Sequence, residues 1–463
     1  MKLVYNVEDK PQSSQLVVYA FQQVLAIMAA TIAVPMIIGN GMSTAAALFG
    51  AGVGTLVYIL FTQRKSPVFL GSSFAFLGSM SAAFAGAVSV SAGYAGLILG
   101  ALFAGLVYVV FALIIRSVGV HWVNKLMPPV VIGPTVAIIG LSLAGNAVGD
   151  LQVSSATGEH TQWAVLCGLV ALAGTMIAST YGKKNVKLIP FIIGILSGYV
   201  CAAILTFIGN ATGNTALQIV NFSTITALVE DGITLKTFFS VPDFTFLTAA
   251  KGLSEIDGGY IATIAVAYIP VAFVVFAEHI ADHKNISSII ERDLLSDPGL
   301  DRTLMGDGIG SFVGAFFGGC PNTTYGESVA CVAITKNASV LTIIVAACEC
   351  IIISFLAPFV AFIASIPSCV MGGVCMALYG FIAVSGLKMI QRLDLDMNRN
   401  LFVISTILIS GIGGLSLTFG KVTITSIACA LILGIAVNYM LKGDPDPIKP
   451  DEERYPKEED IKE

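Results

Sequence analysis

Apolar stretches of roughly 20 residues, the length that crosses a bilayer as a helix, follow one another along almost the whole chain. Only 11% of the 463 residues are charged, against about 25% in soluble globular proteins, and 56% are hydrophobic. So few charges cannot solvate the surface of a soluble protein of this size. The composition therefore predicts an all-α integral membrane protein and nearly excludes soluble enzymes, secreted disulfide scaffolds and nucleic-acid-binding proteins.

Fourteen candidate spans can be counted, of which the third, ninth and tenth are short and rich in Gly, Ser or Thr. The candidate spans are 16–38, 43–62, 68–86, 92–115, 126–145, 162–180, 187–208, 259–282, 303–318, 320–335, 339–364, 369–387, 400–419 and 423–441. If the N-terminus is cytoplasmic, only Lys236, Lys251 and Lys421 of the 24 Lys and Arg residues lie outside. The count therefore predicts a multi-pass protein of the cell membrane with both termini cytoplasmic.

Seven spans lie on each side of one long external segment. Seven is an odd number, so a duplicated seven-span unit inserts its second copy upside down. We therefore predict a first repeat over 1–208, extracellular cover of amphipathic or strand-like character over 209–257, and a second, inverted repeat over 258–441. The tail 442–463 is Pro-rich and highly charged, which predicts disorder.

Spans 3 and 10 resemble each other at matching positions of the two halves. In both, two hydroxyl residues precede an aromatic residue and then a small one, in the segments GSSFAF (71–76) and NTTYGE (322–327). Interrupted spans at matching positions are typical of a transport site near the midplane, where free backbone N–H groups can bind substrate. The pattern predicts short strand-like segments in both spans. Alternatively, these hydroxyl residues only pack helices closely; Pro321 and Glu327 beside the second copy favour the site.

Four carboxyl groups are predicted at membrane depth, where ionisable side chains usually face an interior or a pathway. They belong to Glu278, Asp307, Glu327 and Glu349. Asp282 follows Glu278 by four residues on the same helix face, and two carboxylates repel in a low dielectric. One of them should therefore hold a proton near neutral pH and could carry it.

The other polar groups of these spans allow two interpretations each. His283 is predicted to be solvated by the cytoplasm, whereas His279 fits a packing role or a site role equally well. Glu349 either makes a polar helix contact or touches the pathway. No GxxxxGK[ST] loop is present for ATP, and no Ser/His/Asp or HExxH pattern indicates hydrolysis. The chain is therefore predicted to be a transporter without cofactor or metal, and not an enzyme.

Five sequence segments together resemble the nucleobase/ascorbate transporter family, most closely its bacterial uracil permease branch. They are PVFLGSSFAF (67–76), FAEHIADH (276–283), RDLLSDPGLDR (292–302), PNTTYGES (321–328) and VMGGVCMALYGFIAVSG (370–386). The resemblance covers nearly all of residues 15–441. It implies a core domain of spans 1–4 and 8–11, a gate domain of spans 5–7 and 12–14, a homodimer, and uracil uptake by proton symport.

The resemblance also implies roles for individual residues. Glu278 and Glu327 would bind the pyrimidine edge through their side chains. Phe74 and Gly326 would contribute backbone groups, and Phe74 and Tyr325 would help to enclose the ring. Supporting roles fall to Gln23, Ser72, Ser73 and Thr324, and the candidates for proton coupling are Glu278, Asp282 and Asp307.

The sequence departs from the family pattern at three positions. Gln23 and Asp282 each stand where the resembled proteins have a His, and Asp307 stands where the uracil branch often has Asn. Asp307 leaves open a xanthine or broader purine permease. Sodium also stays open as the coupling ion, because carboxylates and backbone carbonyls could bind either ion. An anion transporter of the same architecture is a further alternative. Glu278 and Glu327 disfavour an anion transporter, because two carboxylates would repel an anion.

Overall fold

Apolar helices make up most of the protein. The computed structural model describes residues 3–119, 128–183, 186, 189–230, 232–419, 422–424 and 426–441; the tail 442–463, for which disorder was predicted, lies outside the described residues. In the first half the helices are α1 Ser13–Ile38, α2 Thr44–Phe61, α3 Leu77–Ala85, α4 Val90–Val118, α5 Pro129–Ser142, α6 Ala144–Leu151, α7 Gln162–Tyr181 and α8 Pro190–Thr212. Three short helices follow, α9 Ser223–Thr226, α10 Leu235–Phe238 and α11 Thr245–Gly252.

The second half repeats this pattern of long and interrupted helices. Its helices are α12 Gly258–Ile290, α13 Leu300–Gly318, α14 Gly326–Thr335, α15 Val340–Ile353, α16 Ala357–Ala364, α17 Ser368–Gln391, α18 Asn398–Ile412 and α19 Ser426–Met440. Among the described residues, eight helical stretches are long and apolar enough to cross a membrane. The all-α polytopic fold is therefore confirmed, and each of the fourteen predicted segments contains a helix. The number of membrane crossings stays a prediction.

Three details differ from the predicted elements. The eleventh segment is broken between α15 and α16, at residues 354–356. The eighth is longer than predicted, because α12 continues to Ile290. The external segment forms short helices and 3-10 turns, and its strand-like alternative is reduced to one isolated bridge between Phe239 and Leu356 among the described residues.

Within the described ranges, four short strands form two antiparallel pairs. The first joins the two halves of the chain: β1 (Leu70–Ser72) pairs with β2 (Asn322–Thr324), as predicted for spans 3 and 10. The hydrogen bonds between the two strands satisfy backbone N–H and C=O groups that lie outside the helices. Inside a membrane such groups need protein partners, because no water is available there. The second pair, β3 (Leu417–Phe419) with β4 (Val422–Ile424), lies where uninterrupted helices were predicted.

Gly71 allows the two halves to approach at the first strand pair. A Cβ atom there would overlap ring carbons of Tyr325 and lie 2.9 Å from Thr31 Oγ1. The Tyr325 ring is held in place, because its hydroxyl donates to the Ser72 carbonyl at 2.7 Å. A side chain at position 71 and this ring cannot both fit.

The helices pack mainly in two groups. One contains α1–α4 and α12–α15, and the other contains α5–α8 and α17–α19. The assignment of these groups to a core domain and a gate domain stays a prediction. Relative movement of the two groups stays a proposal, developed below.

Candidate functional site

A cavity of about 360 Å³ lies between the two groups of helices. Three carboxyl groups line one wall: Glu278 and Asp282, one turn apart on α12, and Glu327 in the first turn of α14. Gly326, the first residue of α14, lies among them. The opposite wall comes from α5, α7, α8 and α17 and is largely apolar; it includes Val136, Phe191, Leu378, Phe381 and Ile382.

The cavity continues towards one side of the membrane. Its lining includes Ser179 near the end of α7, Pro190 at the start of α8, Ile334 near the end of α14 and Met389 near the end of α17. All four helix ends belong to the side predicted to be cytoplasmic. The candidate site is therefore open towards the predicted inner side.

A second, smaller cavity of about 40 Å³ adjoins the first and shares Glu278, Gly326, Glu327 and Ile382 with it. Ser73, Phe74, Thr324 and Tyr325 also line it. The structure therefore brings together all five residues for which the resemblance implies substrate binding. Phe74 packs edge-on against Tyr379 of α17, with ring centroids 5.6 Å apart, so it lies where the two helix groups meet.

The start of α14 presents backbone to the cavity. The Cβ position of Gly326 has one neighbour within 4 Å, the Asp282 Oδ1 atom at 3.9 Å. Asp282 is itself oriented by Thr324, whose hydroxyl donates to Asp282 Oδ2 at 2.8 Å. Free N–H groups at a helix start can donate to a polar ligand. Here they lie beside three carboxyl groups.

Two of the predicted supporting residues act from outside the cavities. Gln23 of α1 donates through Nε2 to the hydroxyl of Ser328, and Ser328 Oγ accepts from the Phe69 N–H at 3.0 Å. Gln23 thereby ties α1 to the start of α14 and to the residue before β1. Ser72 contributes its carbonyl to Tyr325 and lines neither cavity.

Asp307 and His279 form a buried pair behind the acidic wall. His279 Nδ1 lies 2.7 Å from Asp307 Oδ2, His279 Nε2 lies 3.0 Å from Thr303 Oγ1, and both paired side chains are fully buried. Asp307 lines neither cavity. The structure therefore places Asp307 against α12, in contact with His279, the residue after Glu278. Asp307 is thus out of direct reach of a ligand in the cavity.

A protein-family profile matches most of the chain. The profile of the xanthine/uracil permeases, described as "Permease family", matches residues 14–419. The chain belongs to this family, the nucleobase/ascorbate transporters. Family membership confirms the resemblance drawn from the five sequence segments, and it agrees with a multi-pass membrane protein.

Similar family members cover nearly the whole chain. The uracil permease of Bacillus caldolyticus is 36% identical over 447 residues, which is 96% of each chain. The uracil permeases of Bacillus subtilis and Escherichia coli K12 are 36% and 32% identical, covering 95% and 94% of each chain. All three proteins carry the name uracil permease.

Solved structures share the fold at low sequence identity. The transmembrane domain of the cyanobacterium bicarbonate transporter BicA has a TM-score of 0.61 at 14% identity, covering 93% of this chain and 98% of its own. Murine Slc26a9, an anion transporter in the inward-facing state, has a TM-score of 0.65 at 8% identity, covering 94% and 69%. These values establish a common fold and nothing about the ligand.

The sequence prediction for His283 was wrong. It is fully buried, not solvated by the cytoplasm. Its Nδ1 lies 2.8 Å from the His279 carbonyl and its Nε2 lies 2.7 Å from the Tyr58 hydroxyl, which also contacts Ser66 Oγ at 2.7 Å. Because the carbonyl can only accept, the His283 Nδ1–H donates to it; the Tyr58 hydroxyl donates to Ser66 Oγ and lies within hydrogen-bond distance of His283 Nε2. The repeated His at positions 279 and 283 was the signal for a second polar face on α12.

The remaining acid, Glu349, is half-buried on α15 and lines neither cavity. Its Oε2 atom is buried and makes no hydrogen bond within the described part of the chain. Of the two interpretations given above, contact with the pathway has no support from the position of this side chain.

We expect Tyr58→Phe to lower stability and to leave substrate affinity unchanged. The change removes a buried hydroxyl that donates to Ser66 Oγ and lies 2.7 Å from His283 Nε2, and leaving a buried polar atom unsatisfied costs about 1–3 kcal/mol. Because Tyr58 and His283 lie behind the acidic wall, the cavity keeps its shape. Thermal unfolding of the purified protein should show a lower melting temperature, while nucleobase binding stays within twofold of wild type. A melting temperature equal to wild type would contradict the assignment.

Proposed function

We propose that the protein imports uracil by proton symport, as a homodimer in the cell membrane with both termini in the cytoplasm. One observation carries the proposal: Glu278 and Glu327, contributed by different helices, face one cavity beside the open backbone of Gly326. The naming of the family relatives as uracil permeases supports the same substrate.

The chemistry of the cavity suits a planar ring with alternating N–H and C=O groups. A carboxylate accepts from a ring N–H, a protonated carboxyl donates to a ring C=O, and a backbone N–H at the start of α14 donates to another C=O. Phe74 supplies an aromatic neighbour for the ring. A base with a different edge would leave buried polar groups unpaired, which discriminates strongly against it.

The crowding of acids supports proton coupling. Glu278, Asp282 and Glu327 line one cavity, and among the residues that the structure describes no Lys, Arg or His lines it with them. Three negative charges this close repel in a low dielectric, so the site favours a protonated carboxyl. We assign the coupled proton to Glu278, with Asp282 as its neighbour on the helix face. Asp307 acts through His279 in this scheme.

Alternating access would move the core domain against the gate domain. The acids come from α12 and α14, whereas the facing wall comes from α5, α7, α8 and α17, so sliding of one group past the other opens or closes the cavity. Uracil and an external proton would bind together in an outward-open state. The described state, open towards the predicted inner side, would then release both.

The two rival functions have less support from the site. A purine preference was argued from Asp307 alone, and Asp307 lines neither cavity. An anion transporter would share the fold of BicA and Slc26a9, but the three carboxyl groups oppose an anion, and no cationic side chain faces them within the described part of the chain. We therefore retain uracil as the substrate.

The direct test is radiolabelled uracil uptake in cells that lack their own uracil permease. We expect saturable uptake that a protonophore abolishes and that excess xanthine leaves intact. Loss of uptake on removing sodium, with no effect of the protonophore, would replace the proton by sodium. Competition by xanthine would replace uracil by a purine as the preferred substrate.

A further inference from the structure

The two helices that carry the substrate acids are also joined outside the cavity. Helix α12 carries Glu278 and ends at Ile290, and helix α14 carries Glu327 and ends at Thr335. Both helices end on the predicted inner side, where the cavity is open. Helix α14 has only ten residues, so its position depends strongly on what holds its two ends.

One end of α14 is held by the N-terminal segment 4–9, which we call the N-terminal strap. The Val4 N–H donates to the Lys336 carbonyl at 2.8 Å, directly after α14. The Ala338 N–H donates to the Tyr5 carbonyl at 2.9 Å, and the Val340 N–H donates to the Val7 carbonyl at 3.0 Å. Val7 is 2% exposed, so the strap is anchored in the hydrophobic core.

The same strap reaches the end of α12 through an ion pair. Both terminal nitrogens of Arg292, two residues beyond α12, donate to the two carboxylate oxygens of Glu8, one of them at 2.9 Å. The hydrogen bonds from Arg292 lower the pKa of Glu8, so the pair stays charged at neutral pH. A two-point Arg–carboxylate contact fixes orientation as well as distance.

We propose that the N-terminal strap is a brace that sets the spacing between α12 and α14, with Glu8 and Arg292 as positioning residues for the two substrate acids. The proposal rests on the proposed function, because it concerns the geometry in which Glu278 and Glu327 meet one ligand. Binding groups must be held within about 0.5 Å of their productive positions. A brace between the two helices supplies this precision from outside the cavity.

The ion pair is partly exposed, with 48% and 61% of the two side chains accessible. Exposed pairs contribute roughly 0–1 kcal/mol to stability, so its removal should leave the protein folded. Its effect should instead appear in uracil affinity, because the two helices can then move apart at their inner ends. We expect Arg292→Ala to weaken uracil binding roughly three- to tenfold, which is about 0.7–1.4 kcal/mol.

The test compares uracil dissociation constants and melting temperatures of the full-length protein in lipid nanodiscs. Arg292→Ala should weaken binding with little change in melting temperature, and the charge swap Glu8→Arg with Arg292→Glu should restore most of the affinity. The matched control is Lys65→Ala, since the pair between Lys65 Nζ and Asp297 Oδ1, at 2.5 Å, has similar exposure and does not touch α14. Lys65→Ala should bind uracil like wild type.

A structural readout keeps the two proposals separate. Spin labels at positions 284 and 334, with Cys348→Ser to remove the exposed native thiol, report the distance between α12 and α14 without any ligand. We expect a broader or longer distance distribution in Arg292→Ala and a wild-type one in the charge swap. Unchanged distances, or unchanged affinity with a lower melting temperature, would overturn the brace. Failure of the wild type to bind uracil would contradict the proposed function instead.

Discussion

Glu278→Gln is expected to abolish proton-driven accumulation of uracil. Gln keeps the size and polarity of a protonated Glu but cannot release a proton, so substrate can bind while the coupled step is lost. For one proton per uracil, each pH unit across the membrane supports about tenfold accumulation. In proteoliposomes with an imposed pH gradient, the variant should fall to equal concentrations inside and outside. Exchange of labelled for unlabelled uracil should continue.

Glu349→Gln is the matched control for this experiment. Glu349 is also an acid predicted at membrane depth, but it lines neither cavity. We expect the uracil accumulation ratio of Glu349→Gln to equal that of the wild type. Full accumulation by Glu278→Gln would show that the coupled proton resides on another group. Asp282, one turn away on the same cavity wall, would then become the first candidate.

Gly71→Ala is expected to disrupt the fold at the centre of the protein. The new methyl group overlaps the Tyr325 ring, which its hydrogen bond to Ser72 prevents from turning away. Overpacking of a core site costs typically about 1–3 kcal/mol, and the strands β1 and β2 must separate to relieve it. We expect a melting temperature several degrees lower and uracil uptake reduced at least tenfold at equal expression.

Gly380→Ala provides the control for this substitution. Gly380 lies within α17, and a Cβ atom there has no neighbour within 4 Å. Because Ala favours helix over Gly by about 1 kcal/mol, this variant should be as stable as the wild type or slightly more so. Wild-type stability and uptake in Gly71→Ala would contradict the close approach of the two halves described here.

Hydropathy predicted much of the fold because a membrane segment is determined locally, by its own composition. The paired strands in spans 3 and 10 were predictable for a similar reason: the segments GSSFAF (71–76) and NTTYGE (322–327) interrupt apolar spans at matching positions. That Glu278 and Glu327 meet at one site was implied by the family resemblance, and both line one cavity. Isolated acids at membrane depth are costly and have few places to lie except a shared polar cavity.

Features that depend on distant contacts could not be predicted in this way. The burial of His283 requires Tyr58, which is 225 residues earlier in the chain. The contact between Glu8 and Arg292 joins two polar loops that carry no periodic pattern. The sequence indicated that Asp282 is a titratable neighbour of Glu278. The orientation of the Asp282 side chain by Thr324, however, depends on the strand pairing across the two halves.

The central claim is that uracil and protons move together through this protein. The most direct measurement is the internal pH of proteoliposomes that contain the purified protein and a trapped pH-sensitive dye, with no initial gradient and the membrane potential clamped. Addition of external uracil should acidify the interior, addition of xanthine should not, and Glu278→Gln should abolish the response. Uracil entry without acidification would contradict proton symport, and acidification driven by xanthine would contradict the assigned substrate.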